Sequence, residues 1–463
     1  MSVSIALFTA DLRVHDNPVL CAALAAAHRT VPLFVRDAGV RAAGFDAPNR
    51  RAFLADCLAD LDDSLRKRGG RLVVREGDVV GEVCAVAAET GAAEVHVAAG
   101  ASGYARRRED RLRAALAAQG RELRVHDAVT TVLPPGAVTP QGRDHFAVFT
   151  PYFRRWSAAA PRGVRRAPEA VRVPEGVGSR ELPSRAAVEG ASPGLARGGE
   201  AEGRRRFAAW AGRAASGLRN YAERHDDLPG DATSRLSPHL HFGTLSAVEL
   251  VHRARRRGGG GDETAAGADA FVRQLAWRDF HQQVLAARPA AAWCDYRTRH
   301  DAWHDDPAEI AAWREGRTGY PVVDAAMRQL RHEGWMHNRG RLLAASFLTK
   351  TLYADWRVGA RHFLSLLVDG DVASNQLNWQ WVAGTGNDTR PNRVLNPVRQ
   401  ARRFDPDGAY VRRWVPELAD VEGGAVHAPW RLAAARRAGL DYPEPLVDPE
   451  ATAERFRAAR GLR

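Results

Sequence analysis

The first 130 residues alternate between short apolar runs and amphipathic stretches. The apolar runs fall at residues 3–9, 30–35, 71–75, 95–98 and 123–126 and predict strands; helical periodicity occupies the stretches near 18–28, 50–68, 79–90 and 104–119. Such alternation predicts an α/β, doubly wound parallel sheet of the Rossmann-like kind. No G-x-G-x-x-G follows the first strand, so the usual dinucleotide fingerprint is missing.

A change of pattern follows this region. From about residue 157 to 203 the chain is rich in Pro, Gly, Ser, Ala and Arg without periodicity, which is typical of a long surface linker, partly disordered. Helical periodicity then continues almost to the end, and Ser246 with Glu249 forms a capping box. We therefore expect an α/β domain at 1–130, a linker at 131–203 and an all-α domain at 204–463.

Composition adds the class of protein. The chain has 463 residues, of which 45% are hydrophobic and 26% charged, as expected of a soluble globular protein with two or three domains. Its start carries no basic signal-peptide region, and no apolar run is long enough to span a membrane. The four cysteines lie far apart without metal or redox spacing. We expect a reduced, cytoplasmic protein with no structural metal.

The net charge is +12, and Lys67 and Lys350 are the only lysines in the sequence. Arginine suits phosphate contacts and stacking on bases, so this excess favours a polyanionic partner such as nucleic acid. Codon bias is the alternative explanation, because the chain is also rich in Ala and Gly.

The segment 369–381 is the richest in candidate chemistry. It places Asp369, Asp371, Asn375, Trp379 and Trp381 within thirteen residues, on a predicted helix and the turn before it. Buried indoles and amides need hydrogen-bond partners. The mixture suits a site that holds a polar, flat, redox-active ligand, although an ordinary aromatic core with one satisfied Asn would have the same composition.

Two further patterns support a ligand. Ser237 followed by Pro238 predicts a helix N-cap with proline at the first helical position, and such a terminus can bind phosphate or simply be well capped. The Trp277–Arg278 pair and the 334–341 stretch each set an aromatic ring beside Arg or Asn. That pairing suits base stacking with phosphate contact, while arginine covering tryptophan on a helix surface is the alternative.

These motifs together identify a family. The opening stretch 8–18 and the segments 233–237, 277–278, 319–329, 335–339 and 369–381 resemble the DNA photolyase/cryptochrome family, most closely the microbial cyclobutane pyrimidine dimer photolyases. The resemblance implies an α/β antenna domain and a helical domain that binds FAD. It also implies light-driven repair of pyrimidine dimers by electron transfer from photoexcited FADH⁻ to a dimer flipped out of DNA.

The resemblance assigns FAD binding to residues from several parts of the chain. They are Tyr221, Thr233, Ser234, Arg235, Leu236, Ser237, Phe271, Arg341, Asp369, Gly370, Asp371 and Asn375, with Arg341 expected to pair with one of the two carboxylates. Asn375 matches the position facing flavin N5. An amide there favours a catalyst working from FADH⁻, whereas plant-type cryptochromes generally carry Asp. Trp379, Trp356 and Trp303 match a relay that carries electrons to photoexcited oxidised flavin.

On the DNA side, the resemblance implies aromatic walls and polar contacts. Trp277 and Trp381 match the walls that clasp the dimer. The further contacts expected with the dimer or with DNA are Gln274, Arg278, Asn338, Arg339, Leu342 and Gln400. The protein is expected to act on UV-damaged DNA as a monomer.

Two positions depart from the dimer photolyases. Gln274 stands where Glu is usual, and Leu342 where Met is common, so dimer binding is expected to be weaker. Gln is also found in the branch that repairs (6-4) lesions. That branch needs a His pair where this chain has Asn338 and Leu342, and His337 is shared with the dimer photolyases, so (6-4) repair is disfavoured.

The antenna chromophore is less well defined. The loop 100–109 offers no clear match to the Glu of the folate-binding members. The loop and residues 49–51 resemble members that bind 8-hydroxy-5-deazaflavin, which we favour over folate; an empty site is the alternative. Ala10 replaces the usual Arg of the opening motif.

A light-sensing cryptochrome is the competing function, disfavoured by Asn375 and by the short C-terminal end. A general flavin oxidoreductase would need a nicotinamide motif, which the sequence lacks.

Overall fold

The computed structural model describes residues 2–259 and 262–461. Within them, five parallel strands form one sheet in the order β3-β2-β1-β4-β5. The core around this sheet consists of apolar side chains from the strands and from the helices beside them. This is expected, because helices cover both faces of a parallel sheet. The strands are β1 (Val3–Phe8), β2 (Arg29–Asp37), β3 (Val73–Gly77), β4 (Glu94–Ala98) and β5 (Glu122–His126). The predicted doubly wound sheet is confirmed, strand for strand.

Helices surround the sheet and continue beyond it. Those up to residue 287 are α1 (Pro18–Ala26), α2 (Ala38–Ala42), α3 (Pro48–Arg66), α4 (Val79–Thr90), α5 (Gly103–Ala117), α6 (Phe149–Ala158), α7 (Glu200–Ala211), α8 (Tyr221–Arg224), α9 (Ser237–His241), α10 (Ala247–Gly258) and α11 (Asp262–Ala287).

The remaining helices form the C-terminal part of the chain. They are α12 (Pro307–Glu315), α13 (Pro321–Glu333), α14 (Asn338–Ser346), α15 (Trp356–Leu366), α16 (Val372–Ala383), α17 (Pro397–Phe404), α18 (Ala409–Trp414), α19 (Ala434–Arg437) and α20 (Pro449–Ala459), with a π-helical turn at Phe347–Thr351. The all-helical C-terminal region is confirmed. None of the described helices is both long and apolar enough to cross a bilayer.

The chain divides into two compact units. Unit 1 comprises Met1–Ala191, Ala196–Ala222 and Ser234–Pro289; unit 2 comprises Ser192–Leu195, Glu223–Thr233 and Ala290–Arg463. This division differs from the predicted boundaries, because residues 234–289 group with the sheet. Unit 2 has its own core, in which Trp313, Phe347, Trp356 and Trp379 are buried.

The predicted linker is more ordered than its composition suggested. It contains helix α6, and Val177 joins the core of the sheet. The Val171 and Arg180 amides donate to the Arg68 and Val74 carbonyls, both at 2.8 Å. Backbone pairing of this kind satisfies polar groups without a helix or strand, and hydrophobic periodicity does not reveal it.

The two predicted helix caps differ in outcome. Ser246 accepts from the Glu249 amide at 3.2 Å and caps α10, as its capping box predicted. The prediction for Ser237 is wrong: α9 begins at Ser237 itself, Leu236 occupies the cap position, and no cap side-chain hydrogen bond is made there. The prediction that a proline lies in the first turn of α9 is confirmed. Proline is compatible with either of the first helical positions, so it does not fix the residue at which the helix begins.

Candidate active site

The residues assigned to FAD and DNA are divided between the two units. Unit 1 holds Tyr221, Ser234, Arg235, Leu236, Ser237, Phe271, Gln274, Trp277 and Arg278. Unit 2 holds Thr233, Trp303, Asn338, Arg339, Arg341, Leu342, Trp356, Asp369, Gly370, Asp371, Asn375, Trp379, Trp381 and Gln400.

In unit 2, Asp369 lies in the turn before α16 and forms an ion pair with Arg341 of α14. The Nη2 of Arg341 lies 2.7 Å from Oδ2 of Asp369, whose side chain is only 2% exposed, and Nε of Arg341 donates to the Met336 carbonyl at 2.9 Å. The pairing expected of Arg341 is therefore present. Oδ1 of Asp369 is buried and has no hydrogen-bond partner in the protein. A buried carboxylate oxygen in this state calls for a donor from a ligand or water.

Asn375 projects from the first turns of α16, which Asp371 caps by accepting from the Ser374 amide at 2.7 Å. Asn375 is buried, and its Nδ2 donates to the Ala360 carbonyl at 3.1 Å and to Oε1 of Gln376 at 2.7 Å. Both amide hydrogens are thus used inside the protein, and the oxygen of Asn375 remains as an acceptor.

Trp379 lies one turn after Asn375 on α16, in the core of unit 2. Its ring meets Trp313 and Phe363 edge-on, at centroid distances of 6.0 and 4.9 Å. Gly359 on α15 permits this packing, since a Cβ there would overlap the six-membered ring of Trp379. The contact holds α15 and α16 together at this point.

The other two tryptophans of the expected relay have polar neighbours. Trp356 is fully buried at the start of α15, and its indole N–H donates to Oδ1 of Asp295 at 2.9 Å. Trp303, partly buried against the core of unit 2, lies in the segment before α12, and its ring packs on Tyr353 at 5.1 Å between centroids. These contacts anchor each ring through a different partner.

The 233–237 segment carries local strain. Arg235 has a φ of 50°, which places a non-glycine residue in the left-handed region. Oγ1 of Thr233 is buried without a hydrogen-bond partner. Strained backbone clusters at active sites and ligand-binding sites, and a buried polar atom without a partner calls for an explanation such as a ligand or water. In unit 1, Tyr221 and Phe271 pack on one another at 6.0 Å, next to Trp210.

Trp277 on α11 is half-buried and stacks face to face on Phe149. Their centroids are 3.6 Å apart and their planes differ by 5°. Phe149 was missed by sequence reasoning because it opens α6 inside the predicted linker. The signal that could have revealed it is the aromatic run at 146, 149, 152, 153 and 156, which has helical spacing.

Two residues after Trp277, α11 carries the buried carboxyl group of Asp279. Asp279 accepts from the Val132 and Leu133 amides at 3.0 and 2.9 Å, and from the Trp156 indole at 2.9 Å. Burial raises the pKa of Asp279 to about 6, although these donors oppose the shift. Asp279 therefore ties α11 to the segment after β5 and to α6, and so fixes the base of the Trp277–Phe149 pair.

The residues expected to contact DNA differ in exposure. Gln274 and Asn338 are exposed, and Leu342, Trp381 and Gln400 are partly exposed. The two arginines are engaged within the protein. Arg278 donates to the Thr130 and Leu240 carbonyls. Arg339 forms an ion pair with Asp226 and lies over the Phe404 ring at 4.2 Å.

At the carboxyl ends of the strands, unit 1 holds a second polar group. Arg108 on α5 is largely buried, and its Nε has no hydrogen-bond partner; burial lowers the pKa of the guanidinium. Tyr104 donates to Asp37 at the end of β2. Asn49 and Arg50 are buried on α3, and Arg50 donates to the Phe45 carbonyl.

One group of potential metal ligands occurs among the described residues. The ligand atoms of His304, Asp306 and Glu309 lie within 4.8 Å of one another. Asp306 caps α12 by accepting from the Ala308 and Glu309 amides, so its carboxylate already has a structural role.

Comparison with known proteins matches the two ends of the chain to family models. Residues 4–174 match the family model described as DNA photolyase, and residues 271–461 match the FAD binding domain of DNA photolyase. The chain is 67% identical, over all of both chains, to a deoxyribodipyrimidine photo-lyase of Streptomyces griseus.

Solved structures agree. A bacterial class III photolyase from Agrobacterium tumefaciens has a TM-score of 0.91 and 32% identity, covering 99% of this chain and 97% of its own. A cryptochrome from Synechocystis has a TM-score of 0.89 and 30% identity, covering 99% of both chains. With a whole-length relative at 67% identity and family models matching both ends of its sequence, this chain belongs to the DNA photolyase family.

Proposed function

We propose that the protein repairs cyclobutane pyrimidine dimers in DNA in a light-driven reaction. The observation that carries this proposal is the 67% identity to a deoxyribodipyrimidine photo-lyase, which extends over the full length of both chains. The net charge of +12 is consistent with DNA as the partner, because phosphate neutralisation dominates such affinities. We further propose that the protein acts as a monomer in the cytoplasm.

The residues of unit 2 fit FAD as the cofactor. Oδ1 of Asp369 and Oγ1 of Thr233 are buried polar atoms without protein partners, and a ribityl or ribose hydroxyl would satisfy each. Arg341 holds the Asp369 carboxyl group in position through the ion pair between them. When bound in its reduced form, FAD supplies the light absorption and the electron that opens the dimer.

Asn375 supplies an uncharged acceptor for the cofactor. Because its amide nitrogen is committed to Ala360 and Gln376, its oxygen can accept a hydrogen bond from the N–H that reduced flavin carries at N5. A carboxylate in its place would face two oxygen atoms and add charge. This arrangement favours a repair enzyme over a cryptochrome.

Trp379, Trp356 and Trp303 are proposed to relay electrons from the surface when the cofactor is oxidised. Trp379 is buried among aromatic rings, whereas Trp303 is partly exposed. A relay to the surface needs a partly exposed ring at its outer end, and the exposure of Trp303 supports that position. Their role is activation of the enzyme, and repair by protein that is already reduced does not require it.

Recognition of the lesion is assigned first to Trp277. The half-buried indole of Trp277 is supported from behind by Phe149, so it offers a rigid stacking surface. Trp381, Gln274, Asn338 and Leu342 are the other proposed contacts with the flipped dimer. Gln400 is retained as a DNA contact, while Arg278 and Arg339 would need to exchange intramolecular partners to reach phosphate.

The antenna site is proposed at the carboxyl ends of the strands, where ligands of open α/β sheets bind. The buried Nε of Arg108 has no hydrogen-bond partner in the protein, and an anionic chromophore would provide one. We therefore favour 8-hydroxy-5-deazaflavin, which has an acidic hydroxyl, over an empty site. Folate remains the competing ligand. Binding titrations with each chromophore, repeated with Arg108→Gln, test this assignment.

Repair is tested directly with an oligonucleotide that carries one thymine dimer. The reduced protein is illuminated with blue light, and recovery of thymine absorbance is followed against a dark control. We expect light-dependent recovery, lost in Trp277→Ala and retained in Trp293→Ala, which removes an exposed indole of unit 2. No recovery by protein with bound, reduced FAD would refute the proposal.

A blue-light sensor is the second candidate, favoured by the likeness to the Synechocystis cryptochrome. The same oligonucleotide assay separates the two, because a sensor would bind and photoreduce FAD without restoring thymine. A parallel substrate carrying a (6-4) lesion tests the remaining alternative.

A further inference from the structure

Tyr353 lies against the outermost tryptophan of the proposed relay. Its ring packs on Trp303 at 5.1 Å between centroids with a 45° tilt, and Tyr353 is only 2% exposed. The Tyr353 carbonyl also accepts from the His304 amide at 2.9 Å, so the backbone holds the Trp303 segment beside the phenol. The two rings are thus in contact and fixed relative to one another.

The phenol of Tyr353 is hydrogen-bonded to a buried carboxylate. Its hydroxyl donates to Oδ1 of Asp301 at 2.8 Å, and the Asp301 side chain is 1% exposed. Arg460 pairs with the same carboxylate, with Nη2 2.9 Å from Oδ2. Burial and the Asp301 charge raise the pKa of Tyr353 to about 12, so the phenol is protonated at neutral pH. The phenolic proton donor and the carboxyl oxygen that accepts its hydrogen bond are therefore in contact.

The backbone of Tyr353 is strained. Tyr353 has a φ of 58°, in the left-handed region that bulky residues rarely adopt. Such strain persists where the surroundings fix a residue and is frequent at functional positions. Phe456 and Arg460 complete the enclosure, with the Phe456 ring 6.0 Å from Tyr353 and the guanidinium 6.0 Å from Trp303.

We propose that Tyr353 is the electron donor that refills Trp303, with Asp301 accepting the phenolic proton. One electron passes from Tyr353 to the oxidised indole of Trp303, which becomes neutral. The phenolic O–H bond breaks at the same time, its proton forms a bond to Oδ1 of Asp301, and Tyr353 is left as a neutral radical. The oxidant is the Trp303 radical cation, so the step needs no further reactant.

This inference rests on the proposed relay through Trp303. Its consequence is that the hole moves from an indole to a phenol whose proton has been given up. Return of the electron then requires the proton to return from Asp301 as well, which slows recombination. The protein would therefore keep its cofactor reduced for longer after each flash.

The test is transient absorption and EPR after a laser flash on protein loaded with oxidised FAD. In wild type we expect the Trp303 radical to be replaced by a tyrosyl radical more slowly in D₂O than in H₂O. Tyr353→Phe should abolish the tyrosyl signal and lengthen the Trp303 radical lifetime. Asp301→Asn, which keeps an acceptor but removes the base, should slow tyrosyl formation by about a hundredfold.

Tyr442→Phe is the matched control. Tyr442 also donates to a buried carboxylate, at 2.5 Å, but this acceptor is Asp324 of α13 and not a residue of the Trp303 segment. Removing the Tyr442 hydroxyl should therefore leave the tyrosyl signal and the Trp303 radical lifetime unchanged. An unaltered Trp303 lifetime in Tyr353→Phe would overturn the proposal, and so would absence of any Trp303 radical in wild type.

Dimer repair by pre-reduced protein separates this inference from the proposed function. That reaction does not use Trp303, so Tyr353→Phe should repair at the wild-type rate. Failure of wild-type repair would refute the proposed function through a different measurement from the one that tests Tyr353.

Discussion

Phe149 stacks on Trp277 with ring centroids 3.6 Å apart and planes 5° from parallel. The pair joins α6 to α11, and Arg273 lies over the Phe149 ring at 5.0 Å. An indole that recognises a flipped base must hold its plane against displacement, and the second ring provides that support. The stack thus connects a residue of the predicted linker to the proposed dimer contact.

Replacing Phe149 by alanine should weaken binding of dimer-containing DNA more than binding of undamaged DNA. Loss of one aromatic pair corresponds to about 1 kcal/mol, or roughly a fivefold rise in Kd for the damaged duplex. Fluorescence anisotropy with both duplexes at one salt concentration measures the difference. Phe153→Ala is the control, since Phe153 packs on Phe149 but on the face of α6 toward Trp156; an equal loss of discrimination there would contradict the role of the stack.

Replacing Gly359 by alanine should disturb Trp379. The added Cβ would overlap the indole and crowd Leu348, so α15 or α16 must shift. We expect destabilisation of about 1–3 kcal/mol and slower photoreduction of bound cofactor. Denaturant unfolding and flash photoreduction measure the two effects.

Gly81→Ala is the matched control for Gly359→Ala. Gly81 also lies in a helix, α4, but a Cβ there meets only Asp78 at ordinary contact distance. The change should be neutral or stabilising, because alanine favours helix. Photoreduction of Gly359→Ala at the wild-type rate would show that the position of Trp379 is not critical.

Much of the fold could be predicted from the sequence, but the partners of its side chains could not. The strands and the helices between them are evident because their periodicity is local. The Phe149–Trp277 stack and the Arg339–Asp226 pair join residues distant in sequence, and no local pattern encodes them. The sequence motifs and the family resemblance assign Arg278 and Arg339 to DNA, yet both guanidinium groups have protein partners.

Asn375 illustrates the same limit within the candidate site. Its position was identified by resemblance, whereas the commitment of its nitrogen to Ala360 and Gln376 required coordinates. The resemblance also implied that Arg341 pairs with one of the two carboxylates, and the structure identifies that carboxylate as Asp369. The strained Arg235 and Tyr353 backbones are tertiary effects that neither residue type suggests.

Replacing Asn375 by aspartate should reduce both stability and repair. The variant loses two donors, and its carboxylate would face the Ala360 and Gln376 oxygens in a buried setting. We expect a cost of roughly 1–3 kcal/mol and a raised pKa for the new carboxyl, so that repair recovers as pH falls. Steady-state repair between pH 6 and 8 measures this. Asn378→Asp, at an exposed position of the same helix, should show neither effect; a pH-independent loss in Asn375→Asp would contradict the explanation.

Lys350 predicts a pH dependence of stability. It is 1% exposed, donates to the Pro391 carbonyl and lies over Phe456, and burial with the nearby Arg460 charge lowers its pKa from 10.5 to about 7. Between about pH 7 and 10.5 the unfolded chain therefore binds a proton that the folded protein does not, so the free energy of unfolding should rise with pH across this window. Lys350→Met removes this dependence and should stabilise the protein by roughly 3 kcal/mol at pH 6, and by less at pH 9.

The control for Lys350→Met is the other lysine of the chain. Lys67 is exposed after α3, so Lys67→Met should change stability at neither pH. Urea unfolding at pH 6, 7.5 and 9 compares the three proteins. Because the Met side chain cannot donate to the Pro391 carbonyl, part of the gain at pH 6 is offset by that lost hydrogen bond. The change in slope with pH is unaffected by this offset, so parallel pH profiles for wild type and Lys350→Met would mean that Lys350 stays charged in the folded protein.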